Sequence, residues 1–590
     1  MYTGTVLYDE HDLPGTFAEE VGTNREKHTT GFAYDAENRV TGLAYDGSNG
    51  TVSYTYDRLG RITQKKVTLN GHDLITSYTY AAGTGANGLI RTITQNGVTL
   101  TYTYDDNGNI ISVSDGTKTV SYEYDAIGQL IRVNDPYDTR GGANGTTWVY
   151  TYDLGGNIQS FRRYAYTETD LGTKQAQTNY TYGDSGWKDL LTAYGGGAIQ
   201  NDATGNILSF GAWTYEWRHG RELYHMHRTS VSPHAIDVRF EYNEDGLRTK
   251  KTVLDEVTHV TTVTEYTLHG KNIVHLKQGS NSLHFYYDAQ NKPAIVEWNN
   301  GTTTASYAYV YNLQGDVIAL TDSAGTKVVE YTYDAWGKPL STTGSLRATL
   351  GKLNPFLYRG YVYDDEIDFY YLRSRYYNAN RGRFINADSV FDGPNLFNYC
   401  KNRTICYSDK NGDKAVVTPF SGSANCYAYA LLLTVDPRTE EPFDHKPQPG
   451  EFSDPKSAIN LKQDKWLSLD EFVEKIENGL YSDAKELGYS IKKVESADYI
   501  TDNDSWLIAL ATSYHSPGWD IFGWFKHNYD YHWWRRHGDG TWSHKPGENN
   551  VMHGDYSHKV ITDPANSDRG IYNNFVGYYV VTRIGDYREK

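Results

Sequence analysis

Methionine and cysteine number three each and proline 16 in a chain of 590 residues. The cysteines, Cys400, Cys406 and Cys426, are too few for a disulfide framework, and their odd count leaves at least one thiol unpaired. Scarce proline excludes Pro-rich disorder, and no glycine period or heptad pattern supports collagen or a coiled coil. No run approaches the roughly 18 apolar residues that would suggest a membrane-spanning helix. The opening MYTGTVLYDEHDL carries acids where a secretory signal needs a basic segment, so secretion would use another route or a start not contained in this chain. Basic charge is also short, 56 Lys+Arg against 73 Asp+Glu, and a net charge of −17 disfavours a nucleic-acid binder.

Tyrosine and glycine are abundant, 53 and 56 residues, the chemistry of strands and turns. They recur together. Tyr54-Thr55-Tyr56-Asp57 precedes Gly60, Tyr102-Thr103-Tyr104-Asp105 precedes Gly108, and Tyr122-Glu123-Tyr124-Asp125 precedes Gly128. Tyr150-Thr151-Tyr152-Asp153 with Gly156 and Tyr331-Thr332-Tyr333-Asp334 with Gly337 repeat the unit, and weaker copies stand at Tyr34, Tyr80, Tyr182, Tyr242, Tyr287 and Tyr311. From Tyr56 to Tyr182 the second tyrosines are 24, 24, 20, 28 and 30 residues apart, room for two strands and two turns per repeat. Tyrosines at i and i+2 share a strand face, the Asp accepts bonds from the turn backbone, and Gly supplies the left-handed residue.

This array resembles the YD (RHS) repeats of bacterial polymorphic toxins and teneurins, which implies a spiralling antiparallel β-shell over residues 1–340. A β-propeller or β-sandwich is the competing architecture. Residues 341–412 break the rhythm with Arg359-Gly360-Tyr361, Leu372-Arg373-Ser374-Arg375-Tyr376-Tyr377 and Arg381-Gly382-Arg383-Phe384. These are similar to the RHS-associated core, which in that family closes the shell. Many members then cut their own chain with two aspartates that each precede proline. The matching positions here are Asp388, followed by Ser389, and Asp409, followed by Lys410, so both prolines are missing. Arg383 and Arg381 are the expected neighbours of one aspartate, with plain salt bridges as the alternative. The array begins close to Met1, which points to a truncated product or to a second chain completing the shell.

Beyond Gly412 the pattern stops, and residues 413–590 hold seven of the 13 tryptophans, eight of the 19 histidines and a net charge of −8, from 19 basic and 27 acidic residues. The resemblance implies a variable effector domain. The expected order is a helix around 424–433, a second helix after the capping box Ser468-Leu469-Asp470-Glu471, and strands near 489–495, 505–514, 529–536, 541–545 and 575–583. Asp539-Gly540 suits a hairpin turn. Cys426 near a helix N-terminus has thiolate character, His532 on a strand can act as base, and His544 or Asp563 can orient it. This layout resembles papain-like and NlpC/P60 hydrolases. It implies a smaller α+β domain acting on amide bonds of peptide, peptidoglycan or a glutamine side chain.

A buried structural role for each of these residues is the alternative, as is a non-enzymatic adhesion module whose tryptophans bind a glycan or partner. Histidine spacing matches no standard zinc set, and no cofactor or metal is expected. The whole reads as a secreted or cell-surface toxin, partnered by a cognate immunity protein and by its protein, peptide or peptidoglycan substrate.

Overall fold

The computed structural model describes residues 2–8, 14–21, 26–35, 39–46, 50–57, 61–81, 89–105, 107–229, 234–388, 395–412, 416–417, 449, 469–486, 489–496, 505–519, 525–536, 542–544, 561, 563–566 and 574–583. They fall into two units. One comprises residues 1–79, 90–103 and 110–419, and the other 80–89, 104–109 and 420–590.

The two tyrosines of each repeat do different work. The first is buried, as at Tyr54, Tyr102, Tyr150 and Tyr331. The second sends its hydroxyl back to the backbone of an earlier strand: Tyr56 donates to the Val40 carbonyl at 2.7 Å, Tyr124 to Ile110 at 2.6 Å, Tyr152 to Leu130 at 2.5 Å and Tyr182 to Ile158 at 2.9 Å. Each acceptor is the first residue after the preceding Asp turn. In that turn the aspartate accepts the backbone N–H groups two and four residues on, as Asp153 does from Gly155 and Asn157 at 2.9 Å each. The Gly156 amide donates to the Asp153 carbonyl at 3.0 Å, and Gly156 sits at φ +75°. This is a hairpin closed by a glycine bulge, and the register shift at Thr151/Tyr152 marks it. Gly60, proposed for the same duty, lies outside the described residues.

Thirty strands among the described residues, from Tyr2–Tyr8 to Pro339–Thr343, join chain neighbour to chain neighbour in one antiparallel sheet. The strip returns upon itself. The Tyr45 hydroxyl donates to the Tyr287 carbonyl at 2.8 Å, and the amides of Ala289 and Leu313 donate to the hydroxyls of Tyr54 and Tyr102 at 3.1 and 3.3 Å. Tyr45 and the first tyrosines Tyr54 and Tyr102 therefore tie one stretch of wall to another more than 200 residues away. Leu43, Val52, Val67 and Leu69 pack there against Tyr286, Ile295 and Ala308. Burial of this apolar layer is the main stabilising term, at roughly 25 cal/mol per Å².

The segment after the strip forms a second sheet of four short strands, Val362–Asp364, Phe369–Tyr371, Tyr376–Asn378 and Arg383–Phe384. Its aromatic residues other than Tyr363 are buried, and Tyr377 stacks on Tyr399 of the same segment at 3.9 Å. It is fastened to the wall by Tyr370 and Tyr377, which donate to the carbonyls of Gly337 and Trp336 at 2.7 Å each. Asn402 Nδ2 donates to Gln129 Oε1 at 2.8 Å, and Arg248 pairs with Asp364 at 2.6 Å.

The other unit contains the helix Leu469–Glu486, which buries Phe472, Ile476 and Leu480 along one face. A five-stranded antiparallel sheet follows in the order Tyr489–Val494, Asn574–Arg583, Ser505–Trp519, Phe525–Arg536, Trp542–His544. The chain's last strand lies between the first two, an order that spacing along the sequence does not encode. The helix expected around 424–433 and the Asp539-Gly540 turn lie outside the described residues.

Candidate functional site

Arg375 ends the loop between the strands Phe369–Tyr371 and Tyr376–Asn378, with its side chain 3% exposed. Its guanidinium lies over the Phe384 ring, 3.5 Å from the centroid. Its polar edge gathers four acceptors. Nη2 is 2.8 Å from Asp388 Oδ2 and 3.2 Å from Asp409 Oδ2. Nη1 donates to the Leu396 carbonyl at 3.2 Å, and Nε donates to the Gly412 carbonyl.

The two aspartates singled out in the sequence thus meet on one buried guanidinium. Asp409 is itself fixed: its amide donates to the Tyr361 hydroxyl at 2.6 Å, and its Oδ1 accepts the Gly412 amide at 2.8 Å. The chain at Asn411-Gly412 is held from the other side too. Ser374 Oγ and the Ser374 amide donate to the Asn411 carbonyl at 2.8 and 3.1 Å, and Arg373 Nη1 donates to Asn411 Oδ1. Gly412 has φ +77°, and a Cβ there would fall 2.7 Å from Ser374 Oγ and 2.8 Å from the Leu372 carbonyl. Only glycine fits this approach. Nearby, burial pushes the Cys400 thiol far above its usual range, with the charge of Asp409 adding to the effect.

The partner arginine differs from the expected one. Arg383 Nη1 donates to the Tyr182 hydroxyl at 2.8 Å and Nη2 to the Asp189 carbonyl at 2.7 Å, while Arg381 covers the Phe210 ring at 4.2 Å. Both fasten the segment to the wall. Arg383 is the arginine nearest Asp388 in sequence among those the motif offers, but Arg375 reaches the aspartates from the loop that precedes the adjacent strand Tyr376–Asn378. Its place in Arg373-Ser374-Arg375, one residue before a buried strand, was the available sign of an inward guanidinium.

The proposed hydrolase residues fare differently. Cys426 lies outside the described residues. His532 is 1% exposed and meets the Trp534 ring edge-on at 4.6 Å, opposite Ala511 in register. His544 lies opposite Trp534 on the neighbouring strand. Asp563 turns to local duty: Oδ1 accepts the Ala565 amide at 2.9 Å and the Tyr578 hydroxyl, and Oδ2 accepts Asn566 Nδ2 at 2.8 Å. Among the described residues, no group of three or more His, Cys, Asp or Glu is arranged to hold a metal ion.

A repeat whose tyrosines staple successive hairpins, a strip that returns on itself and an aromatic plug with paired aspartates define a YD-type shell. The teneurin YD-shell family matches residues 5–114, 32–141 and 113–411, and the chain belongs to that family. It is 31% identical over 264 residues to the tRNA3(Ser)-specific nuclease WapA of Bacillus spizizenii, across 42% of this chain and 11% of that protein. The tRNA nuclease WapA of Bacillus subtilis strain 168 is 30% identical over 263 residues, with the same two shares. The chain thus spans about a tenth of the length of these curated relatives. Among solved structures, the TcdB2-TccC3-Cdc42 crystal structure superposes with a TM-score of 0.51 at 17% identity, over 69% of this chain and 23% of that one, a likeness of fold.

Proposed function

We propose that this chain is a toxin-type shell segment whose closing plug cuts the chain after Gly412 and so separates residues 413–590 as an effector. The supporting observation is the Arg375 cluster: it holds both aspartates and the Gly412 carbonyl, and the family match ends at the adjoining residue 411. Arg375 Nε–H polarises the Gly412 carbonyl and stabilises the oxyanion formed on attack. Asp388 takes a proton from a water molecule as the water oxygen bonds to the Gly412 carbonyl carbon. The bond from that carbon to the nitrogen of residue 413 then breaks, and the proton passes to the departing amine. Asp409 fixes the preceding Asn411–Gly412 peptide by accepting the Gly412 amide.

Purified full-length protein incubated at neutral pH is expected to yield a fragment whose N-terminus is Asp413. Asp388→Asn and Arg375→Ala are expected to stay intact. A wild-type chain that remains whole under conditions where its shell is folded refutes the proposal.

For the freed unit, the proposed chemistry is a cysteine hydrolase with Cys426 as nucleophile and His532 as base. Its support is the expected helix around Cys426 and the helix-then-antiparallel-strand order. Asp563 is spent on Tyr578 and its own turn, which favours His544 as the orienting residue. The rival is a binding module, favoured by the depth at which His532 sits against Trp534. Loss of growth arrest on Cys426→Ala, when residues 413–590 are expressed in a bacterium, supports the hydrolase; arrest that persists refutes it. Secretion or surface display, a cognate immunity protein and a shell-completing chain belong to the same proposal.

A further inference from the structure

Where the strip returns on itself, two histidine rings lie face to face. His28, on Glu26–Tyr34, and His284, on Asn281–Tyr287, have ring centroids 3.5 Å apart and an interplanar angle of 8°. Both are buried, at 7% and 3% exposure, beside the buried Glu19. His28 Nδ1 shares a 2.9 Å hydrogen bond with the Tyr286 hydroxyl, while His28 Nε2, both nitrogens of His284 and Glu19 Oε2 have no hydrogen-bond partner among the described residues. His284 Nε2 stands 3.2 Å from Glu19 Oε1, poorly aligned for a hydrogen bond. His275, on Asn272–Gln278, adds a third imidazole 6.4 Å from His284.

We propose that the stacked His28 and His284 form an acid-sensitive latch that holds the hairpin of Pro14–Val21 and Glu26–Tyr34 against the strands Asn272–Gln278 and Asn281–Tyr287, and releases it when the imidazoles take up protons. Two neutral rings stack at van der Waals distance, whereas two imidazolium ions at 3.5 Å repel in a site with little water to screen them. The contact bridges parts of the wall far apart in sequence, so its failure separates strands without breaking a hairpin.

The surrounding charges set the direction. Burial, then the neighbouring His284, push His28 down to about 4, against the pull of Glu19, Glu26 and Asp46. Burial alone holds His284 near 3, and burial with His284, His28 and Lys277 brings His275 to about 4. Burial raises Glu19, against His28, Tyr2 and His269, and Glu297 adds its charge beside Tyr286. In the released form each imidazole returns to its ordinary value of 6.5, so release binds up to three more protons on histidine. Glu19 has the opposite sense and offsets at most one of them. The latch is therefore fully closed above pH about 6.5 and weakens as pH falls toward 4. A net uptake of about two protons changes the released-to-closed ratio about a hundredfold per pH unit.

Hydrogen exchange of the full chain between pH 7.5 and 4.5, corrected for intrinsic rates, tests this. Protection in peptides from 14–34 and 272–287 is expected to fall tenfold or more per pH unit below about 6, while 317–333 holds. His284→Phe keeps a ring in the stack and is expected to flatten the slope. Equal slopes in both regions, or a His284→Phe slope equal to wild type, overturns the latch. If that variant does not fold, the wild-type comparison between regions decides alone.

Discussion

Asp364 joins the plug to the wall through buried charge. It is fully buried and faces two cations from the wall, Arg248 at 2.6 Å and Lys251 at 3.0 Å. Lys251 also reaches Glu366 at 2.7 Å. Arg248 is further boxed by Phe240, Tyr266 and Tyr371, with ring centroids 4.5–5.2 Å from its guanidinium carbon. Asp364→Ala leaves an arginine without its ionic partner in a site that water does not reach, and Glu366 compensates only Lys251. Breaking a buried pair from one side costs about 3–5 kcal/mol. For a unit of this size that is a melting-temperature drop on the order of 5–10 °C. Arg248→Met combined with Asp364→Leu removes both charges, and is expected to recover most of the loss. The assay is thermal unfolding of the full chain, with proteolysis of residues 341–412 as the local readout. Asp364 is held below its usual range by Arg248 and Lys251 despite burial, so its contribution is full above pH about 4 and lost as pH falls through the lowered value. A change under 1 kcal/mol for Asp364→Ala, or additive losses in the double variant, refutes the reasoning.

Three further outcomes follow from the same physics. Tyr152→Phe removes one staple and leaves the Leu130 carbonyl without it, at a cost of about 0.5–1.5 kcal/mol, visible as faster amide exchange in Leu130–Asp135. Gly337→Ala would place a Cβ 2.4 Å from the Tyr358 ring at φ +86° and is expected to destabilise by more than about 2 kcal/mol, whereas Gly71→Ala, at φ +83° with open space, costs only about 1. Chemical denaturation of the purified variants compares them. Cys400, buried and with its thiol pushed up, is expected to resist iodoacetamide at pH 8 in the native protein and to react at once in urea, read by peptide mass.

The repeat was legible because its chemistry is local. Asp153, Gly156 and Asn157 close their turn with bonds that span four residues, so composition and spacing suffice to find it. Asp388 and Asp409 were legible as a motif pair, but their arginine was not, since Arg383 is near in sequence while Arg375 is near in space. The contact between His28 and His284 had no sequence counterpart at all. It depends on how far the strip travels before returning, a sum over many turns and bulges that no single one sets. The last strand, Asn574–Arg583, was expected as a strand, yet its place between Tyr489–Val494 and Ser505–Trp519 is decided by packing.

The backward-pointing tyrosine staples also bear on how such a wall can be built during synthesis. Each hairpin finds its acceptor carbonyl in the strand just made, as Tyr56 does in Val40 and Tyr333 in Val317. A nascent chain can therefore lay the strip down in the order it leaves the ribosome, each arm clasping its predecessor with little loop to close. Contacts such as Tyr45 with Tyr287 must wait until most of the wall has emerged. Growth by whole units disturbs only nearest neighbours, so the length of the strip can change without redesign of the rest.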